Sequence, residues 1–191
     1  MAEWTWETLE SQCKNCTACG LAATRHNVVF GVGNPRAEVL FIGEGPGENE
    51  DLQGEPFVGR AGQLLDKYLA AVDLSREKNI YIGNMVKCRP PKNRDPQPDE
   101  VSACIGYLRN QVAIIRPKII VCLGRIAAQY IISPDFKVTR QHGEFSLKNG
   151  VWMMGTFHPA ALLRNPANKP AALEDFQKLR EKINEVCTHT Y

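Results

Sequence analysis

Seven cysteines stand in this chain, and three fall in one run, C-K-N-C-T-A-C, which puts Cys13, Cys16 and Cys19 in two overlapping CxxC steps. Two thiolates three residues apart converge on one ion or one cluster, so in a reducing compartment this spacing reads as a metal or Fe–S site. The cysteine count is odd and no secretion signal accompanies it, which makes a disulfide framework the weaker reading. The other four thiols are Cys88, Cys104, Cys122 and Cys187.

Four loops carry the remaining chemistry. G-E-G-P-G-E-N-E-D, residues 43–51, has the Gly and Pro content that lets backbone amides approach a planar or anionic ligand, and a tight turn accounts for it equally well. It is neither GxGxxG nor a Walker A sequence, and the five acids between Glu44 and Glu55 would repel phosphate. P-F-V-G-R-A-G, residues 56–62, either presents Phe57 as a stacking platform for a base or buries it as core. N-M-V-K-C-R-P-P-K-N-R, residues 84–94, sets Lys87, Arg89, Lys92 and Arg94 among two prolines. That suits a phosphate backbone, with a solvated basic loop as the plain alternative. Asn84, at the end of a strand, offers one acceptor and one donor to a base edge. F-H-P-A-A-L-L-R-N-P, residues 157–166, holds His158 extended before a proline and follows it with Leu162, Leu163 and Arg164.

The chain that must position these groups has 191 residues, 43% of them hydrophobic, which is enough for one full core and too few for two. Lys and Arg number 23 against 21 Asp and Glu, a net charge of +2 that excludes a polycationic tail and leaves room for a local basic surface. With 23% charged and 8% aromatic residues the balance is that of an ordinary globular protein. No window approaches the roughly 20 apolar residues of a membrane span, and the start, M-A-E-W-T-W-E-T-L-E, lacks the basic-then-apolar layout of a signal peptide. A soluble cytoplasmic protein is expected.

Short apolar runs over residues 37–43, 80–86, 118–124 and 151–156 read as strands. Helices are expected over 62–72, 98–115, 125–132 and 173–186, with an irregular loop over 87–98. This alternation predicts one domain over 1–191, a three-layer α/β/α sandwich with a central four-stranded parallel sheet. Ligands in such sheets bind beyond the carboxyl ends of the strands, where the loops 43–54, 84–94 and 158–165 lie.

In this order, C-T-A-C-G-L…T-R, V-V-F-G-V-G-N-P, G-E-G-P-G-E-N-E-D-L-Q-G-E-P-F-V-G-R-A-G, K-C-R-P-P-K-N-R-D-P and F-H-P-A-A-L-L-R-N-P resemble the uracil-DNA glycosylase superfamily over residues 16–185. The match is to family 4, its iron–sulfur branch. The resemblance implies a monofunctional DNA glycosylase of base excision repair. Such an enzyme flips deoxyuridine out of single- or double-stranded DNA, hydrolyses its N-glycosidic bond, and leaves an abasic site. A monomer with no membrane partner is expected.

The same resemblance assigns a [4Fe–4S] cluster to Cys16, Cys19, Cys88 and Cys104, tying residues 1–25 to the basic loop and leaving Cys13 as an extra thiol. Four thiolates would suit Zn²⁺ equally, so iron rests on the resemblance. Phe57 then stacks on the flipped uracil. The Asn84 amide oxygen accepts from N3–H and its nitrogen donates to O4, while backbone amides of Glu44, Gly45 and Gly47 touch the base. His158 donates to O2 as negative charge develops there. Glu50 stands where the methyl group of thymine would go. Lys87, Arg89, Lys92, Arg94 and Arg164 meet phosphates, and Leu162 or Leu163 fills the gap in the stack. The best-known branch carries an acid in G-Q-D-P-Y-H; Gly45 stands there instead, leaving Glu44, Glu50, Asn93 or a backbone carbonyl to orient water. No K-R-R-I-H-like insert precedes Val151, so turnover is expected rather than covalent attachment to DNA.

Overall fold

The computed structural model of the chain describes residues 3–190; Met1, Ala2 and Tyr191, the ends of the expected domain, lie outside the described residues. A helix α1 (Trp6–Lys14), begun by a Thr5–Thr8 capping pair, leads to strands β1 (Val32–Gly33) and β2 (Val39–Gly43). Helices α2 (Glu48–Gln53) and α3 (Arg60–Ala71) follow, then β3 (Tyr81–Asn84), α4 (Pro98–Ile115), β4 (Ile119–Leu123) and α5 (Arg125–Ile131). The chain ends with α6 (Val138–Gln141), β5 (Phe145–Lys148), β6 (Val151–Thr156), α7 (Pro159–Arg164) and α8 (Lys169–Val186).

Alternation along the central strands divides the core in two. Val39 and Phe41 of β2, Ile82 of β3, and Ile119, Val121 and Leu123 of β4 face one apolar layer with Leu65 and Leu69 of α3 and Phe176, Leu179 and Ile183 of α8. Leu40, Ile42, Tyr81, Ile120 and Cys122 face the other, against Val101, Ile105 and Leu108 of α4 and Ala127 and Ala128 of α5. Strands buried on both faces need unbroken apolar sequence, which is why these runs stood out.

The sheet has six strands in the order β1-β3-β2-β4-β6-β5, not four. The inner four are parallel, and β1 and β5 add antiparallel edges. β1 has two residues, and β5 is largely exposed, so neither carries an apolar run. β5 turns into β6 through Asn149 and Gly150, both at positive φ (52° and 81°), as a two-residue hairpin turn requires. The expected loops also contain helix: α2 lies inside 43–54, α7 inside 158–165, and a single 3₁₀ turn, Pro91–Asn93, inside 87–98. Among the described residues no helix is long and apolar enough to cross a membrane.

The strand order reverses at β2, which has β3 on one side and β4 on the other. Loops leaving the carboxyl ends diverge at such a point and leave a crevice.

Candidate functional site

That crevice holds a cavity of about 260 Å³ lined by Glu44, Gly45, Pro46, Gly47, Glu50, Phe57, Asn84, Asn93, Arg94, His158 and Arg164, among others. Gly43 and Asn84 are the last residues of paired strands β2 and β3, and His158 follows β6 by two residues. Asn84 is 2% exposed, and its Oδ1 is buried without a hydrogen-bond partner. A buried amide oxygen left alone is costly, of order 1–3 kcal/mol, so this atom is set up to accept from something that enters the cavity. Gly43 separates it from the aromatic wall. A side-chain carbon at Gly43 would fall 2.5 Å from Asn84 Oδ1 and 2.8 Å from Phe57 Cζ.

Phe57 belongs to the core layer and to the cavity at once, which reconciles the two readings of that ring. Its φ is +54°, a left-handed conformation that costs a bulky residue roughly 1–2 kcal/mol. The ring lies 5.5 Å from that of His158.

His158 caps α7: its Nδ1 accepts from the Ala160 amide at 3.1 Å. With Nδ1 acting as acceptor, the neutral ring carries its proton on Nε2 and is a donor there. Burial, followed by the charge of Arg164, pushes its pKa down to about 4, so the ring is neutral at physiological pH.

The four candidates for orienting water differ in their freedom. Glu50 accepts from the amides of Gly47 at 3.0 Å and of Val58 and Gly59 at 3.3 Å each, so it ties the first loop to the segment after Phe57. The Oδ1 of Asn93 accepts from Arg89 at 2.7 Å. Glu44 lines the cavity, and burial, then the nearby charge of Asp95, raise its pKa. The backbone carbonyl of Glu44 accepts from the Val86 amide.

The basic residues divide in a way the sequence reading did not foresee. Lys87, expected to meet phosphate, is not on the surface: it is 1% exposed and donates to Phe30 O at 3.0 Å and Gln111 Oε1 at 2.7 Å. Arg94 reaches the cavity but is committed to a two-pronged ion pair with Glu100 at 2.7 and 2.8 Å. Arg89 is half-buried, while Lys92 and Arg164 are exposed. Leu162 is 1% exposed in the core and is unavailable as a wedge, whereas Leu163 is half-buried beside the rim residue Arg164.

Cys13, Cys16, Cys19, Cys88 and Cys104 border a second cavity of about 10 Å³ together with Arg25, Lys87 and Tyr107. The Lys87 amide donates to Cys104 Sγ at 3.2 Å and Arg25 Nη1 to Cys88 Sγ at 3.6 Å. Burial raises the thiols of Cys13 to about 12 and Cys104 to about 11. Among the described residues, no three His, Cys, Asp or Glu side chains converge as ligands of a single metal ion. Cys122 is fully buried in β4, as an inert core residue would be.

A connection the sequence reading missed runs from this region to the main cavity. Arg25 donates to Cys88 Sγ, and next to it His26 binds buried Asp51 of α2 through its backbone amide at 2.8 Å and its ring at 2.6 Å. Asp51 adjoins Glu50, the residue that fastens the loop around Phe57.

The family model described as the Uracil DNA glycosylase superfamily matches residues 30–184. The type-4 uracil-DNA glycosylase of Archaeoglobus fulgidus is 47% identical over 175 residues, covering 87% of this chain and 87% of that protein. The type-4 uracil-DNA glycosylase of Thermotoga maritima is 43% identical over 183 residues, covering 94% of this chain and 95% of that protein. A type-5 uracil-DNA glycosylase of Pyrobaculum aerophilum is 32% identical over 146 residues, covering 68% of this chain and 64% of that protein.

Proposed function

Because the chain belongs to the uracil-DNA glycosylase superfamily, we propose that it hydrolyses the N-glycosidic bond of deoxyuridine in DNA as a monofunctional enzyme of base excision repair, monomeric and cytoplasmic. The observation that carries this reading is the unpartnered, buried Oδ1 of Asn84 beside the Phe57 ring. A uracil extruded from the stack presents N3–H to that oxygen and O4 to the amide nitrogen, with its face on Phe57. Cytosine presents the reverse pattern and leaves buried groups unpaired.

As the bond to the sugar breaks, negative charge grows on uracil and positive charge on the sugar. His158 supplies Nε2–H to O2, and because its ring is neutral the proton is shared rather than transferred. Glu44 and Gly45 border the same cavity and offer it their main chain, whereas the Gly47 amide is already donated to Glu50. Glu44 is the carboxylate we assign to orient water, since the oxygens of Glu50 are taken by three amides and Asn93 by Arg89. The occupied Glu50 helps instead to close the side at which a 5-methyl group would enter. Arg89, Lys92 and Arg164 meet the DNA backbone, single- or double-stranded, and Leu163 takes the gap left by the extruded base.

We assign a [4Fe–4S] cluster to Cys16, Cys19, Cys88 and Cys104. What supports this is the donor set: these four thiols border one cavity together with Cys13, and N–H donors are aimed at the sulfurs of Cys16, Cys88 and Cys104. Held by Cys16 and Cys19 on one side and Cys88 and Cys104 on the other, a cluster there would cross-link the N-terminal segment to the basic loop and α4.

Incubation with uracil-containing oligonucleotides followed by alkali should cut the strand at the uracil, and the purified protein should contain iron and sulfide. Uncut DNA after treatment with folded, iron-loaded protein overturns the assignment.

A further inference from the structure

Phe57 points its ring into the cavity from a backbone that a bulky side chain rarely adopts, with φ +54°. Arg76, in the loop between α3 and β3, reaches that backbone from behind. It is 8% exposed and does not line the cavity. Its Nη1 donates to Pro56 O at 2.7 Å and its Nη2 to Phe57 O at 2.9 Å. Asp66 of α3 aligns the other edge of the guanidinium, accepting from Nε at 3.1 Å and Nη2 at 3.0 Å, and Glu55 accepts from Nη1 at 3.3 Å.

A rigid planar fork that holds two consecutive carbonyls fixes the two peptide planes that meet at the Phe57 Cα, and so the direction in which the Phe57 side chain leaves the chain. The opposite flank is held too. The Val58 and Gly59 amides bind Glu50, and Gly62 packs so tightly on the Phe57 carbonyl that a side-chain carbon there would lie within 1.8 Å of its oxygen. Strained conformations persist where surrounding contacts over-determine them, and they cluster at sites that handle ligands.

We propose that Arg76 is a positioning residue for base recognition: it holds the Phe57 ring at the angle that lets a nucleobase lie between it and Asn84. This rests on the reading of Phe57 as the surface that receives uracil. An arginine that only joined its loop to α3 would affect folding and leave the ring's contribution to base release untouched.

The test is a double-mutant cycle on the iron-loaded protein, comparing the parent, Arg76→Lys, Phe57→Ala and the combination by single-turnover uracil release and by oligonucleotide affinity. Lysine keeps the charge but loses the fork. Arg76→Lys is expected to slow base release on the order of 10- to 100-fold, the range for displacing a positioned group by about 1 Å, with affinity for DNA within about threefold of the parent. In the Phe57→Ala background the same change is expected to cost less than about twofold, because no ring remains to be aimed. If Phe57→Ala itself leaves base release unaltered, the stacking reading and this proposal fall together. If Phe57→Ala slows release while the two effects simply multiply, or Arg76→Lys changes nothing, the proposal falls and the stacking reading stands. Should Arg76→Lys not fold, Asp66→Asn, which frees the outer edge of the fork, takes its place in the same cycle.

Discussion

Replacing Asn84 by Asp exchanges one atom's chemistry at the floor of the cavity while keeping its shape. The side chain is 2% exposed and Oδ1 has no partner in the protein, so water does little to mask the change. The lost N–H leaves uracil O4 facing an oxygen, and two buried acceptors then lack donors at about 1–3 kcal/mol each. A total of roughly 2–6 kcal/mol corresponds to uracil release slowed on the order of 30- to 10⁴-fold at about 1.4 kcal/mol per tenfold. Cytosine gains where uracil loses, since its exocyclic amine now meets an oxygen, and the preference for uracil should shrink by at least the lower figure. The assay is single-turnover base release from matched oligonucleotides carrying U or C at one site, with thermal unfolding as a check that the variant is folded. Uracil release within threefold of the parent, or an unchanged U-to-C ratio, refutes the role given to the carboxamide.

His158→Ala should slow the chemical step far more than it weakens DNA binding; equal losses in single-turnover rate and affinity would contradict donation to O2. Since the pKa of His158 falls from 6.5 to about 4 on folding, the unfolded chain takes up a proton first as pH drops; this contribution to stability is present above pH 6.5 and is lost on acidification toward 4, an effect absent from the Ala variant in pH-dependent unfolding. Lys92→Ala and Arg164→Ala should each lower the slope of log affinity against log salt by about one, whereas Lys87→Met should leave the slope unchanged, because that cation is buried; a smaller slope for Lys87→Met counts against its interior placement. Phe57→Gly should unfold about 2–4 °C above Phe57→Ala, because glycine adopts φ +54° at no steric cost; both variants lose the ring, so equal melting temperatures would show that the left-handed backbone stores no strain.

The inner strands were legible because each is buried on both faces and so needs consecutive apolar residues. The edge strands were not, although Asn149-Gly150 is a hairpin signal in its own right. Helix α2 escaped notice because Glu48-Asn-Glu50-Asp51 has no apolar periodicity; its acids are placed for a helix's first turn instead. Loop composition suggested a surface role for Lys87, yet the alternation from Tyr81 through Gly83 and Met85 carries it inward, to within 3.4 Å of where a Gly83 side-chain carbon would stand. Leu162 and Leu163 look alike in sequence, and only the short helix α7 assigns one to the core and the other to the rim. Arg76 gave no signal at all, since the backbone carbonyls that it holds lie about twenty residues away.

At Gly43 only main chain stands between the carboxamide of Asn84 and the ring of Phe57. Side-chain walls swing between rotamers; peptide walls inside a paired strand do not. On the carboxamide side the slot is therefore fixed by paired strands, while its ring side rests on the contacts that hold the Phe57 backbone, and altered base preference cannot be reached by enlarging Gly43. Even alanine would drive the amide and the phenyl ring apart, so a broader specificity has to be carved from the opposite side.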